Sequence, residues 1–318
     1  MELDYSNIDP ELRPALDFLP AELDLITRET LHATRAVLAA APAPDVETDV
    51  EVTEQIIAGP GGDLRLLIYR SPVAEGGPGV LWLHGGGYIL GAVDDDRARL
   101  VAESLGCTAV SVDYRLAPEH PFPAAVEDAY AALCWLAGNA GALGVDAERL
   151  SIAGLSAGAG LTAGLALLNR DRGGPAVAFQ LLLSPMLDNL HDTASGRIVN
   201  HPTWSRQTSL NAWEMYLDGT PGLDASPYAA PSRATDLSGL PEAYVSVGAE
   251  DLFRDECIDY ARRLHEHGVA TELAVFPGMY HVAENFAPQA RVCQRLHGSY
   301  LRALADGLGV SRGAADGS

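Results

Sequence analysis

The feature that most constrains this chain is a succession of short, mostly apolar runs separated by stretches of helical character. The runs span residues 80–83, 109–112, 150–153, 179–183, 244–247 and 273–276. None alternates polar with apolar, so each predicts a strand buried on both faces, as in a parallel sheet. Helices are expected between them at about 123–137, 157–169, 255–266 and 288–305. Another, capped by Asp94 or Asp95, runs to Leu105 and ends at Gly106. Residues 56–69, interrupted by Gly59-Pro60-Gly61-Gly62, read as a hairpin. The expected fold class is therefore α/β, a mostly parallel central sheet with helices on both faces.

Two segments break the alternation. Residues 1–45 look helical, with Leu23, Ile26 and Leu31 at helix-like spacing before a Pro/Ala-rich stretch at 41–44. Residues 186–235 carry Trp204, Trp213, Tyr216 and Tyr228 among polar residues and show no strand signal. Structureless loops of such length are uncommon in compact domains. Both are expected to cap one edge of the sheet. The division is then a cap segment at 1–45, a core at 46–185 and 236–306, a cap insertion at 186–235, and a small, polar, flexible tail at 307–318.

Charge and composition exclude several classes of function. The 318 residues include 21 basic and 43 acidic side chains, a net charge of −22. Phosphate backbones are held by clustered cations, so no nucleic-acid partner is expected. Every basic residue is Arg. Without Lys there is no Schiff base, no pyridoxal phosphate attachment and no P-loop. No apolar run is long enough for a membrane span. The acidic start, MELDYSNIDPEL, is unlike a signal peptide, so a cytoplasmic location is expected. Cys107, Cys134, Cys257 and Cys293 lie far apart and read as reduced thiols. His265 and His267 read as a polar helix face, and neither metal nor cofactor is expected.

The sharpest local signal is Gly154-Leu155-Ser156-Ala157-Gly158. The string alone is weak, but a strand leads into it and an Ala/Leu-rich helix leads out. That is the context of a nucleophile elbow, where a serine sits on a strained turn and flanking glycines relieve the crowding. The overlapping Gly158-Ala159-Gly160-Leu161-Thr162-Ala163 fits a loose dinucleotide pattern. Several strands precede it, however, and the next acid, Asp188, is too far along.

His84-Gly85-Gly86-Gly87-Tyr88 follows the run at 80–83. Consecutive glycines can aim backbone N–H groups into a pocket, and acyl transfer needs such donors for its oxyanion. Together with the N–H of Ala157, this is the two-part arrangement expected beside an elbow serine. His84 itself reads as a structural hydrogen-bonder. In the order Ser…Asp/Glu…His, the acid and base should follow later strands. Asp251 comes after the run at 244–247 and His281 after the run at 273–276. Asp188 is the rival acid; Glu250 is a neighbour, and Asp255 reads as a helix start.

In these motifs the chain resembles the hormone-sensitive-lipase-like carboxylesterases of the α/β-hydrolase fold, over roughly residues 75–300. The resemblance rests on HGGGY at 84–88, VDYRLAPEHPFPA at 112–124, LGVD at 143–146, LSPMLD at 183–188, and the Asp251 and His281 loops. It implies a catalytic triad of Ser156, Asp251 and His281, with oxyanion donors at Gly86, Gly87 and Ala157. It implies no cofactor, a small ester as substrate, and in many similar proteins a homodimer. Asp113, Arg115 and Glu119 are expected to bond internally. Tyr88, Trp204, Trp213 and Tyr216 are candidates for an apolar substrate lining or for packing within the cap. A dedicated lactonase or deacetylase shares the same triad, whereas a receptor on this fold would have lost the base. The chain departs from the family pattern at Leu155, where a polar residue is usual. It departs again at Val282-Ala283, where a glycine is common.

Overall fold

The computed structural model describes residues 2–20, 25–40, 47–219 and 222–310. Eight strands form one sheet in the order β1-β2-β4-β3-β5-β6-β7-β8. β1 (Glu51–Gly59) and β2 (Gly62–Arg70) are the expected hairpin, paired antiparallel from Gly59 opposite Gly62. β2 is also antiparallel to β4 (Thr108–Val112), and every other pairing is parallel. β3 is Gly77–Leu83, β5 Val145–Leu155, β6 Phe179–Leu183, β7 Glu242–Gly248 and β8 Thr271–Phe276.

The helices divide between the two faces. Along β3, Leu81 and Leu83 join one apolar cluster, while Val80 and Trp82 join the other. The two-residue period of a strand thus feeds two cores at once. α3 (Ala124–Gly138), α4 (Ala157–Arg172) and α6 (Arg254–Glu266) cover the first face. α2 (Asp96–Leu105) and α7 (Arg291–Gly307) cover the second. Asp95 caps α2 by accepting from the Arg97 N–H at 3.0 Å, and Gly106 closes it in a left-handed conformation. All four cysteines are unpaired, and Cys107, Cys257 and Cys293 are buried.

The two irregular segments lie against each other. Thr208 on α5 (Arg206–Leu217) accepts from the Ile26 N–H at 3.2 Å, and Asn211 donates to the Ile26 carbonyl at 2.8 Å. Asn200 accepts from the Leu3 N–H at 2.5 Å and from the Tyr5 hydroxyl at 2.8 Å. In the N-terminal segment the expected helix shrinks to α1 (Leu31–Ala39), preceded by short 3₁₀ turns at Tyr5–Asn7 and Arg13–Phe18. Leu23 and the 41–44 stretch lie outside the described residues.

Two further expectations are corrected. The run at 273–276 forms β8, which among the described residues pairs only with β7 at the end of the sheet, and its Leu273 and Val275 are exposed. The tail does not begin at Gly307. α7 reaches that residue, Leu308 is buried, and Arg149 donates to the Leu308 carbonyl at 2.8 Å. Residues 311–318 lie outside the described part. Among the described residues no helix is long and apolar enough to cross a membrane.

Candidate active site

Ser156 stands where β5 turns into α4, with φ 56° and ψ −119°. A serine rarely adopts that backbone, and the surrounding contacts explain why it persists here. A Cβ on Gly154 would come within 2.4 Å of the Gly158 carbonyl oxygen. One on Gly158 would come within 2.1 Å of the Leu83 oxygen. The glycines let β3, the turn and α4 pack backbone against backbone. The Ser156 N–H donates to Leu183 at 2.8 Å, which pins the turn to β6.

Three buried side chains meet above this turn. Ser156 Oγ is 2.9 Å from His281 Nε2, and His281 Nδ1 is 2.8 Å from Asp251 Oδ2. A carboxylate only accepts, so Nδ1 carries the proton and Nε2 is left to accept from the serine hydroxyl. Asp251 is fixed through its other oxygen, which accepts from the Phe253 N–H at 2.9 Å. The Phe253 ring stands edge-on to the imidazole at 4.9 Å. Thr203 donates its hydroxyl to the His281 carbonyl at 2.7 Å. Neither Thr203 nor the Phe253 contacts stood out in the sequence. The second could have been sought two residues beyond a loop aspartate, where such turns close.

The rival acid is engaged elsewhere. Asp188 pairs with Arg233 and accepts from the Leu190 N–H at 3.0 Å. Glu256, on α6, accepts from the N–H groups of Leu187 and Asp188 at 2.7 and 3.1 Å, and burial pushes its carboxyl well above the usual range. Asp255 sits in the first turn of α6 and accepts from the Ser195 N–H at 2.8 Å.

His84 stacks on Tyr114 with ring centroids 4.2 Å apart, and its Nδ1 lies 2.8 Å from the Gly85 carbonyl oxygen. Desolvation pulls its pKa down, which suits a neutral hydrogen-bonder. Gly86 and Gly87 turn at φ 118° and 62°, and a Cβ on Gly87 would strike the Trp204 ring at 2.3 Å. Among the described residues, no group in the chain consumes the N–H of Gly86, Gly87 or Ala157. Gly86 and Gly87 line the same cavity as Ser156, and α4 begins at Ala157, so the positive end of its dipole lies at the serine turn.

A cavity of about 350 Å³ opens onto Ser156 and His281. Gly86, Gly87, Leu155, Trp204, Val282 and Phe286 are among its walls. Of the four aromatic candidates, Trp204 alone lines it. Tyr88 and Tyr216 stack at 3.9 Å, Trp213 tilts against Tyr88 at 5.3 Å, and all three are fully buried in the core. Their spacing expressed packing rather than a lining. The internal bonds expected of Arg115 and Glu119 hold, whereas the Asp113 carboxylate is exposed and, among the described residues, makes only a 3.8 Å ion pair with Arg65. Arg115 donates Nε and Nη2 to Asp128 at 2.8 and 2.9 Å, and Glu119 pairs with Arg35.

Residues 80–285 match the family described as alpha/beta hydrolase fold. The chain is 37% identical over 277 residues to Esterase LipI of Mycobacterium tuberculosis, covering 84% of each chain. It is 36% identical over 315 residues to Carboxylesterase NlhH of the same organism, covering 94% of this chain and 95% of that one. Among solved structures, Bacterial Heroin Esterase superposes with a TM-score of 0.90 at 39% identity, covering 96% of this chain and 99% of the other. A serine turn packed glycine against backbone, joined to relatives that match nearly end to end, means that this chain belongs to the alpha/beta hydrolase fold family, among its hormone-sensitive-lipase-like esterases.

Proposed function

We propose that this protein is a serine carboxylester hydrolase acting on short- to medium-chain acyl esters. The observation that carries this reading is the unbroken hydrogen-bond chain from Ser156 Oγ through His281 to Asp251. In the proposed mechanism His281 Nε2 takes the hydroxyl proton as Ser156 Oγ attacks the ester carbonyl. Asp251 holds the imidazole in the reactive tautomer and stabilises the imidazolium that forms. The N–H groups of Gly86, Gly87 and Ala157 receive the oxyanion, where fixed dipoles replace water. His281 then protonates the departing alkoxide, leaving an acyl group on Ser156. Water, deprotonated by the same imidazole, attacks that acyl-enzyme and frees the acid. Every step uses side chains and amides of this chain, so the reading invokes no cofactor.

The volume of the cavity is at the small end of ligand pockets, which supports a small-molecule ester as substrate. In this reading residues 1–45 and 186–235 form the cap over the site. Their mutual hydrogen bonds support that view, as does Trp204 reaching from the insertion to Gly87. A cytoplasmic location, a homodimer and the absence of a nucleic-acid partner belong to the same proposal, the last supported by the net charge of −22. Ser156→Ala should lower turnover of p-nitrophenyl butyrate by several orders of magnitude. A variant that keeps a rate near that of the wild type would refute the mechanism.

A further inference from the structure

We infer that Val282 sets how bulky an alcohol the esterase accepts, from a strained turn that Arg97 holds in place. The inference rests on the ester-hydrolase reading above and adds a specificity residue to it. Val282 follows the base directly and adopts φ 50° and ψ 31°. Left-handed backbone crowds any Cβ, and a β-branched residue is a genuine outlier there. Such strain persists where neighbours over-determine it and where the strained side chain serves the site.

The neighbours are identifiable. Asn285 donates its N–H to the Val282 carbonyl at 3.0 Å, and Thr203 holds the His281 carbonyl one residue earlier. From α2, Arg97 donates to the buried Glu284 carboxylate at 3.0 Å and to the Asn285 side-chain oxygen. The turn after the base is thereby tied to the helix that follows the glycine loop. A glycine at 282 would take this backbone without strain. What valine adds is its two methyl groups, and Val282 lines the cavity.

Chemistry indicates which half of the ester those methyls face. His281 Nε2 must hand its proton to the leaving oxygen, so the alcohol portion lies on the imidazole side. The carbonyl oxygen lies on the side of Gly86 and Gly87. A wall one residue beyond the base therefore limits the alcohol, and acyl length is left to other walls.

The test is a pair of substrate series on purified enzyme. One varies the alcohol at constant acyl group (ethyl, isopropyl and tert-butyl acetate). The other varies the acyl group at constant alcohol (p-nitrophenyl acetate, butyrate and hexanoate). In Val282→Gly, kcat/KM for tert-butyl acetate relative to ethyl acetate should rise about tenfold, the scale of one or two methyl groups in an apolar pocket. Val282→Ala, which keeps the left-handed strain but loses both methyls, should move the ratio in the same direction by a smaller factor. The acyl series should keep its order in both variants. An unchanged alcohol ratio in either active variant overturns the inference. So does an equal fall on every ester, which would mean that Val282 only steadies His281. A wild-type enzyme inactive on both series would refute the ester-hydrolase reading instead.

Discussion

The proposed nucleophile, Ser156, has φ 56°, and Val282, which follows the proposed base His281, has φ 50°, yet the two turns sustain that strain by opposite means. Around Ser156 the support is backbone on backbone. Carbonyl oxygens of Leu83 and Gly158 occupy the places where side chains of Gly158 and Gly154 would be. Nothing soft is available to yield. Around Val282 the support is polar and comes from far along the chain, through Arg97 to Glu284 and Asn285 and through Thr203 to the His281 carbonyl. A turn held by close packing tolerates no added atom, whereas a turn held by side-chain bonds can be loosened by degrees.

This contrast can be broken at either turn. The largest effect is expected at the elbow. Gly158→Ala places a methyl against two carbonyl oxygens, at 2.1 Å from Leu83 and 2.3 Å from His84. Overpacking of this kind costs about 1–3 kcal/mol of stability. Displacing the nucleophile from its donors should lower kcat/KM by at least ~10²-fold. Thermal unfolding and p-nitrophenyl butyrate kinetics on one preparation check both, and a silent substitution would deny that the packing is tight.

A smaller effect is expected at the base turn. Arg97→Gln removes the charge between α2 and Glu284 without touching Ser156 or His281. Turnover should fall about tenfold as the imidazole samples other positions, with KM changing much less. Because glycine favours the left-handed turn unaided, the loss should shrink when Arg97→Gln is combined with Val282→Gly. A fall confined to KM, or one that is additive in the double variant, would mean that Arg97 does not act through the turn.

The same contrast governs what could be read from the sequence. Glycines at 154 and 158 stand beside the serine they serve, so the elbow was legible as a five-residue string. The 84–88 loop was legible for the same reason. The clamp was not, because Arg97 and Glu284 are 187 positions apart and each looks like an ordinary surface charge. Strand positions were legible from short, mostly apolar runs, but the exposure of β8 was not. Leu273 to Phe276 is as apolar as the inner strands, and only the order of the sheet puts it outermost. Proline explains the N-terminal segment. Pro20 pushes Leu19 into extended backbone (φ −65°, ψ 138°), so the 3₁₀ turn Arg13–Phe18 ends there and does not run on as a helix. Trp213 and Tyr216 were visible as aromatics in a polar stretch, and Tyr88 at the end of the glycine loop. Whether such rings face a ligand or one another depends on backbone directions that spacing does not encode.

Covalent labelling tests the assembly of the triad most directly. A fluorophosphonate reacts only with a serine whose proton can be removed and whose oxyanion is received. Intact mass followed by peptide mapping should find a single adduct on Ser156 in the wild-type protein and none in Ser156→Ala. An unmodified wild-type protein, or an adduct on a different serine, would contradict the account.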